Sequence, residues 1–179
     1  MHEADIDETP AGRVARGEGW FILNLGEMAW RTVGFGTSCS FNAPTKDPDE
    51  PGIGVHVHVL MPGEANGYYH AEDAQEGFLV LSGECIAVVE GQERLMRQWD
   101  YLHSPPGTAH ITVGAGTAPC AILMFGSPDS SRKVEWIAND VAAKHGASVA
   151  RTTSDAREAY EDLPPVLAVR APAPFDQRA

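Results

Sequence analysis

Cysteine is scarce in this chain of 179 residues: Cys39, Cys85 and Cys120 lie far apart and form no CxxC pair. That spacing excludes a disulfide scaffold and a cysteine zinc site, and it fits a reducing, cytoplasmic compartment. Cys85 and Cys120 sit in strand-like runs ("GECIAVV", "APCAILMF") and read as small buried hydrophobes. Positive charge is also short, with 13 Lys and Arg against 25 Asp and Glu and a formal net charge of -12. This excludes a general electrostatic grip on nucleic acid or on an anionic membrane. No apolar run approaches the roughly 20 residues of a membrane-spanning helix. The opening "MHEADIDETPAGR" is acidic and polar, not a basic segment followed by an apolar one, so no secretory signal is expected. What remains is 43% hydrophobic composition in short pieces, enough for one domain with a core.

Residues 1–18 are charged, carry Gly and Pro and show no periodicity, so a loose N-terminal segment is expected. From "GWFILNL" onward, short runs of Val, Ile, Leu and aromatics recur between turn signals: "GIGVHVHVLMPGE", "EGFLVLSGE", "CIAVVEGQE", "DYLHSPPGTAH" and "PCAILMFG". "VVEGQER" predicts a tight hairpin through Glu90 and Gly91. Strands so closely punctuated predict an all-β barrel or jelly roll over residues 19–127. After Gly126 the texture changes to a helical extension over residues 128–179. One helix is expected over 138–146, stopped by Gly146, with Lys144 and His145 in its last turn. A second is expected over 153–162, capped by Thr152 and stopped by Pro164 and Pro165. Both should pack outside the barrel, through Ile137, Val141, Ala142, Ala156 and Tyr160, serving stability or dimer contact.

Chemistry concentrates in "YYHAEDAQEGFLVLSGE", residues 68–84, where His70, Glu72, Asp73 and Glu76 stand at the lip of a strand. Charged groups entering a core must be paired, hydrogen-bonded or metal-bound; a solvated loop ending at the strand is the other reading. Side chains at i and i+2 of a strand share a face, so His70 and Glu72 point the same way, with Glu76 rejoining after a bend. In "WDYLHSPPGTAHITV" a Pro-Pro-Gly turn sets the aim of His110 at the start of another strand.

The pattern His70-x-Glu72-x3-Glu76-x6-Gly83, then Pro105-x-Gly107-x2-His110, resembles the paired motifs of the cupin superfamily. The match covers roughly residues 55–126. The resemblance implies a cupin double-stranded β-helix (jelly-roll) barrel, with flanking N-terminal strands and short C-terminal helices, that binds one divalent metal ion. It places His70, Glu76 and His110 at ligand positions, with Gly83, Pro105 and Gly107 shaping turns. Glu72 stands where the family's commonest form has a second histidine, Gly114 where it has asparagine, and Trp99 where it has glycine. Glu72 still offers an oxygen, so a set of His70, Glu72, Glu76 and His110 is open, suited to Mn, Fe, Ni or Zn. Four such ligands on an octahedral ion leave two positions for water, oxygen or substrate.

Tyr68 shares the parity of His70 and is expected near the pocket, Gln75 is a candidate to hold Glu76, and His58 a candidate to line the barrel mouth. His103, His145 and His2 match no ligand position. The expected function is a metal-dependent oxygenase, or an isomerase or lyase, acting on a small oxygen-bearing molecule. A ligand-binding barrel without turnover and a structural dimer module are the rivals. A homodimer pairing through the apolar "WFILNL" run is expected, with neither nucleic acid nor membrane as partner.

Overall fold

The central strands are buried on both faces, which is why their apolar runs read as continuous and not as alternating. The computed structural model describes residues 2–17, 19–41, 52–127 and 133–176. A hairpin of β1 (Asp5–Thr9) and β2 (Gly12–Arg16) precedes two short strands, β3 (Trp30–Thr32) and β4 (Thr37–Ser40). The barrel follows with β5 (Gly54–Leu60), β6 (His70–Glu72), β7 (Glu76–Ser82) and β8 (Glu84–Val89). It continues through β9 (Gln92–Arg97), β10 (Tyr101–Ser104), β11 (His110–Ala115) and β12 (Cys120–Gly126). Then come β13 (Val134–Trp136), α1 (Asp140–Ala143), α2 (Ala156–Ala159) and β14 (Leu167–Val169).

Apart from the two-stranded β1–β2 hairpin, the strands form two antiparallel sheets, ordered β10-β7-β12-β5-β4-β3-β14 and β13-β6-β11-β8-β9. Between them lies an inner core in which Leu60, Phe78, Val80, Cys120 and Ile122 of the first sheet meet Cys85, Ala87 and Met96 of the second. The alternate positions point the other way. Val57, Val59 and Ala121 join Trp30 and Cys39 in one outer layer, and Val88, Ile111 and Val113 join Tyr69, Ala142 and Ala147 in another. Each fully buried Val, Leu or Ile contributes about 1.5–3 kcal/mol. A one-residue slip of a central strand would exchange its two layers, so the register is held firmly. Glu90 and Gly91 both take positive φ (49° and 70°), the turn that matches the strand twist, and the predicted hairpin forms there.

Three local expectations differ from what is found. The segment expected to be loose carries the β1–β2 hairpin, tied by Arg13 to Glu8 (2.9 Å) and to Glu27 (3.0 Å). Its backbone pairing and surface ions leave no apolar periodicity for a sequence to display. "WFILNL" forms no strand; Ile22 is 85% exposed, while Leu23 and Leu25 pack on the outer layer beside Trp30. The helices are single turns. Asn139 caps α1, and Gly146 (φ 67°) closes it with Ala147 N–H donating to Ala142 O at 3.0 Å. Asp155, not Thr152, caps α2, because its side chain reaches the Arg157 N–H. The extension also adds β14 to one sheet and β13 to the other.

Candidate metal centre

His70 on β6 lies directly opposite His110 on β11, so one register pair brings the two imidazoles side by side, with ring centroids 5.0 Å apart. Glu76 opens β7 in the facing sheet. Its Oε2 lies 2.9 Å from His110 Nε2 and 3.9 Å from His70 Nε2. One donor atom from each residue falls within 4.8 Å of the others, and the three can hold a metal ion.

Each histidine is oriented by the carbonyl two residues before it. His70 Nδ1–H donates to Tyr68 O at 2.8 Å, and His110 Nδ1–H donates to Thr108 O at 2.9 Å with Ser104 Oγ at 3.1 Å. A carbonyl only accepts, so the proton sits on Nδ1 and each Nε2 turns its lone pair toward Glu76. The Pro105–Gly107 turn supplies the Thr108 carbonyl. Thr108 N–H donates to Pro105 O (3.1 Å), and Gly107 (φ 82°) donates its N–H to Glu72 O (2.7 Å), tying the second motif to the first.

The donor set fits an ion. Cis ligands on an octahedral metal with bonds near 2.0–2.1 Å stand about 3 Å apart. The separations here need only a small inward movement to meet that. His110 is 1% exposed, and its Nε2 faces Glu76 Oε2 at 2.9 Å. Phe78 packs edge-on against the His110 ring at 5.0 Å and keeps that side dry. Burial pushes the His110 pKa down, but the hydrogen bond and charge of Glu76 outweigh it, so the net direction is upward.

Glu72 does not join the group. It is 5% exposed and its charge acts on His110, but its carboxylate lies outside the three donors that gather. Two residues along a strand advance about 6.6 Å. His110 faces His70 squarely, and the β6–β11 pairing gives Glu72 no partner on β11. Gln75 is exposed and makes no side-chain hydrogen bond among the described residues, because alternation turns it away from Glu76. Tyr68 stacks on Tyr160 (centroids 5.5 Å) and stands edge-on to Phe35 (4.8 Å). His58 faces the barrel interior from β5 and lines a cleft of ≈ 480 Å³ with Phe35, Asn66 and Tyr160. Burial, then the charges of His56 and Arg31, push its pKa down to about 4. Two clefts of ≈ 530 and ≈ 540 Å³, one at β9 and β10 and one beside β2 and β14, touch none of the three donors.

At the family's asparagine position, a Cβ on Gly114 would overlap the Met61 carbonyl. The loop at 61–64 is bonded there through Gly63 N–H to Gly114 O and Gly114 N–H to Glu64 O, both 2.8 Å. No side chain fits. Sequence reasoning missed Ser104, whose parity with Leu102 hides it, and the aromatic pair Phe35 and Tyr160, which come from segments far apart in the chain. Tyr160 was expected only to pack outside the barrel, yet it borders the cleft.

Residues 56–126 match the model of the Cupin domain family. Among solved structures, a sugar phosphate isomerase from a cupin superfamily, from Silicibacter pomeroyi, aligns at 21% identity with TM-score 0.48, over 55% of this chain and 62% of that one. A DMSP lyase from Ruegeria pomeroyi aligns at 18% and 0.42, over 60% of this chain and 51% of that one. An RmlC-like cupin from Shewanella frigidimarina aligns at 20% and 0.44, over 55% and 80%. The chain thus spans less than two thirds of the first two, and none of the three TM-scores reaches 0.5. No curated protein gives a match.

Proposed function

Because the chain belongs to the cupin superfamily, we propose that it is a metal-dependent enzyme acting on a small oxygen-bearing organic molecule, as an oxygenase or as an isomerase or lyase. One observation carries this reading: a buried and a half-buried imidazole, each held by a backbone carbonyl, present Nε2 to the same carboxylate. A divalent ion held by His70, Glu76 and His110 would supply Lewis-acid polarisation of a bound oxygen. The remaining chemistry belongs to the protein. Carbonyl anchors at Tyr68 and Thr108 fix the imidazoles, Phe78 excludes water from one side, and Glu76 provides the negative charge. Three protein ligands leave open coordination positions, the mark of a catalytic rather than a structural site.

Metal analysis of protein purified without chelators tests the reading. About one equivalent of Mn, Fe, Ni or Zn, lost in a His110→Asn variant that remains folded, is the expected result. Folded, metal-free protein that takes up none of the four would remove it. Oligomeric state belongs to the same proposal: a homodimer in which exposed Trp20 and Ile22 contribute to the contact. Light scattering giving a monomer mass would exclude the dimer and leave the metal reading standing.

A further inference from the structure

Arg31 on β3, Ser38 on β4 and His58 on β5 stand directly opposite one another, Arg31 paired with Ser38 and Ser38 with His58. Their strand neighbours Trp30, Cys39 and Val57 belong to the outer layer. Alternation therefore turns all three onto the face that looks into the barrel. With strands about 4.8 Å apart, guanidinium, hydroxyl and imidazole make a polar row roughly 10 Å long. The row lines the ≈ 480 Å³ cleft, whose other walls include Phe35, Tyr160 and the apolar segment at 163–166.

Two members of the row are unengaged. Among the described residues, neither the Arg31 guanidinium nor the His58 imidazole makes a hydrogen bond or ion pair, and His58 Nδ1 is buried. His58 is neutral at pH 7, with its pKa pushed down to about 4, so it offers one N–H and one lone pair while Arg31 alone carries charge.

We propose that this cleft binds a small organic acid, its carboxylate on Arg31, Ser38 and His58 and its apolar body against Phe35 and residues 163–166. The guanidinium fork matches a carboxylate in two parallel hydrogen bonds, and the neutral imidazole and the hydroxyl can donate to the same group without adding charge. The apolar walls explain why the acid carries a hydrocarbon body and is not a bare inorganic ion. Tyr68 joins the cleft to the metal group, since its ring stacks on Tyr160 and its carbonyl holds His70. The inference rests on the proposed metal-dependent function only for what becomes of the acid, not for its binding.

Calorimetric titration of hexanoate, benzoate and succinate into the full chain, as purified and after chelation, tests it, with hexanamide, benzamide and inorganic phosphate as controls. At least one acid should bind below about 10 mM in both preparations, and its amide should bind about tenfold more weakly or worse. Arg31→Gln should weaken the acid by about tenfold or more and leave the amide unchanged. Arg31 is exposed, so the variant should fold. The proposal is overturned if no acid binds, if acid and amide bind alike, if Arg31→Gln has no effect, or if phosphate binds as tightly as the best acid. Acid binding lost on chelation would overturn it too, by placing the carboxylate on the metal. Acid binding retained in protein that takes up no metal would support the cleft while removing the metal reading.

Discussion

Replacing Glu76 and Glu72 separately by Gln separates a ligand from a neighbour. Glu76 Oε2 lies within 2.9 Å and 3.9 Å of the two imidazole nitrogens, so an ion between those nitrogens sits in contact with the carboxylate. At an effective dielectric of about 20, unit charges 4 Å apart attract by about 4 kcal/mol, and a divalent ion by about twice that. Gln keeps an oxygen but loses the charge, so Glu76→Gln should cost at least about 4 kcal/mol of metal affinity, on the order of 10³-fold. Glu72 lies outside the donor group and reaches the site through its charge on His110 and through its backbone carbonyl. Glu72→Gln keeps that carbonyl and should cost no more than the 10- to 100-fold usual for residues behind the ligands. Competition titrations of Mn, Fe, Ni and Zn with a chromophoric chelator would measure both. Equal losses in the two variants would return Glu72 to the ligand set and refute the three-donor geometry. Full affinity in Glu76→Gln would refute the site itself.

In metal-free protein, NMR should show His110 titrating above the ordinary value near 6.5. Glu76→Gln should lower it, because burial is then opposed only by the Thr108 carbonyl and the charge of Glu72. The raised pKa means that the pair's stabilisation is complete below about pH 6.5 and is lost as pH rises through the folded-state value. A normal or depressed His110 pKa in the wild type would contradict the pairing. Gly114→Asn restores the commoner family residue yet should destabilise by about 1–3 kcal/mol or more in urea unfolding, because its Cβ meets the Met61 carbonyl; unchanged stability would show that the 61–64 loop moves freely. Tyr160→Ala removes the stack on Tyr68 and the hydrogen bond donated by Trp136 Nε1 (2.8 Å), and should cost about 2–4 kcal/mol. Its metal affinity should stay within about tenfold, since the Tyr68 carbonyl is backbone; a larger loss would show that the ring stack positions His70.

The amino-acid sequence by itself determined the strand class, the Glu90–Gly91 hairpin, the stop at Gly146 and the positions of His70, Glu76 and His110 in their motifs. Those features are local: β-branched runs, residues tolerant of positive φ, and a Pro/Gly turn with a histidine at set spacing. Tertiary structure alone decided the rest. His70 and Glu72 share strand parity, yet only His70 meets His110, because the register between β6 and β11 chooses one inner-facing residue. The N-terminal hairpin pairs through backbone and exposed ions, which carry no hydrophobic period. Arg31, Ser38 and His58 are dispersed along the chain and become one polar row only when β3, β4 and β5 lie side by side. Sequence periodicity reports which face of its own strand a residue occupies; which residue it faces on the next strand is set by inter-strand hydrogen bonds, and those are made only in the folded barrel.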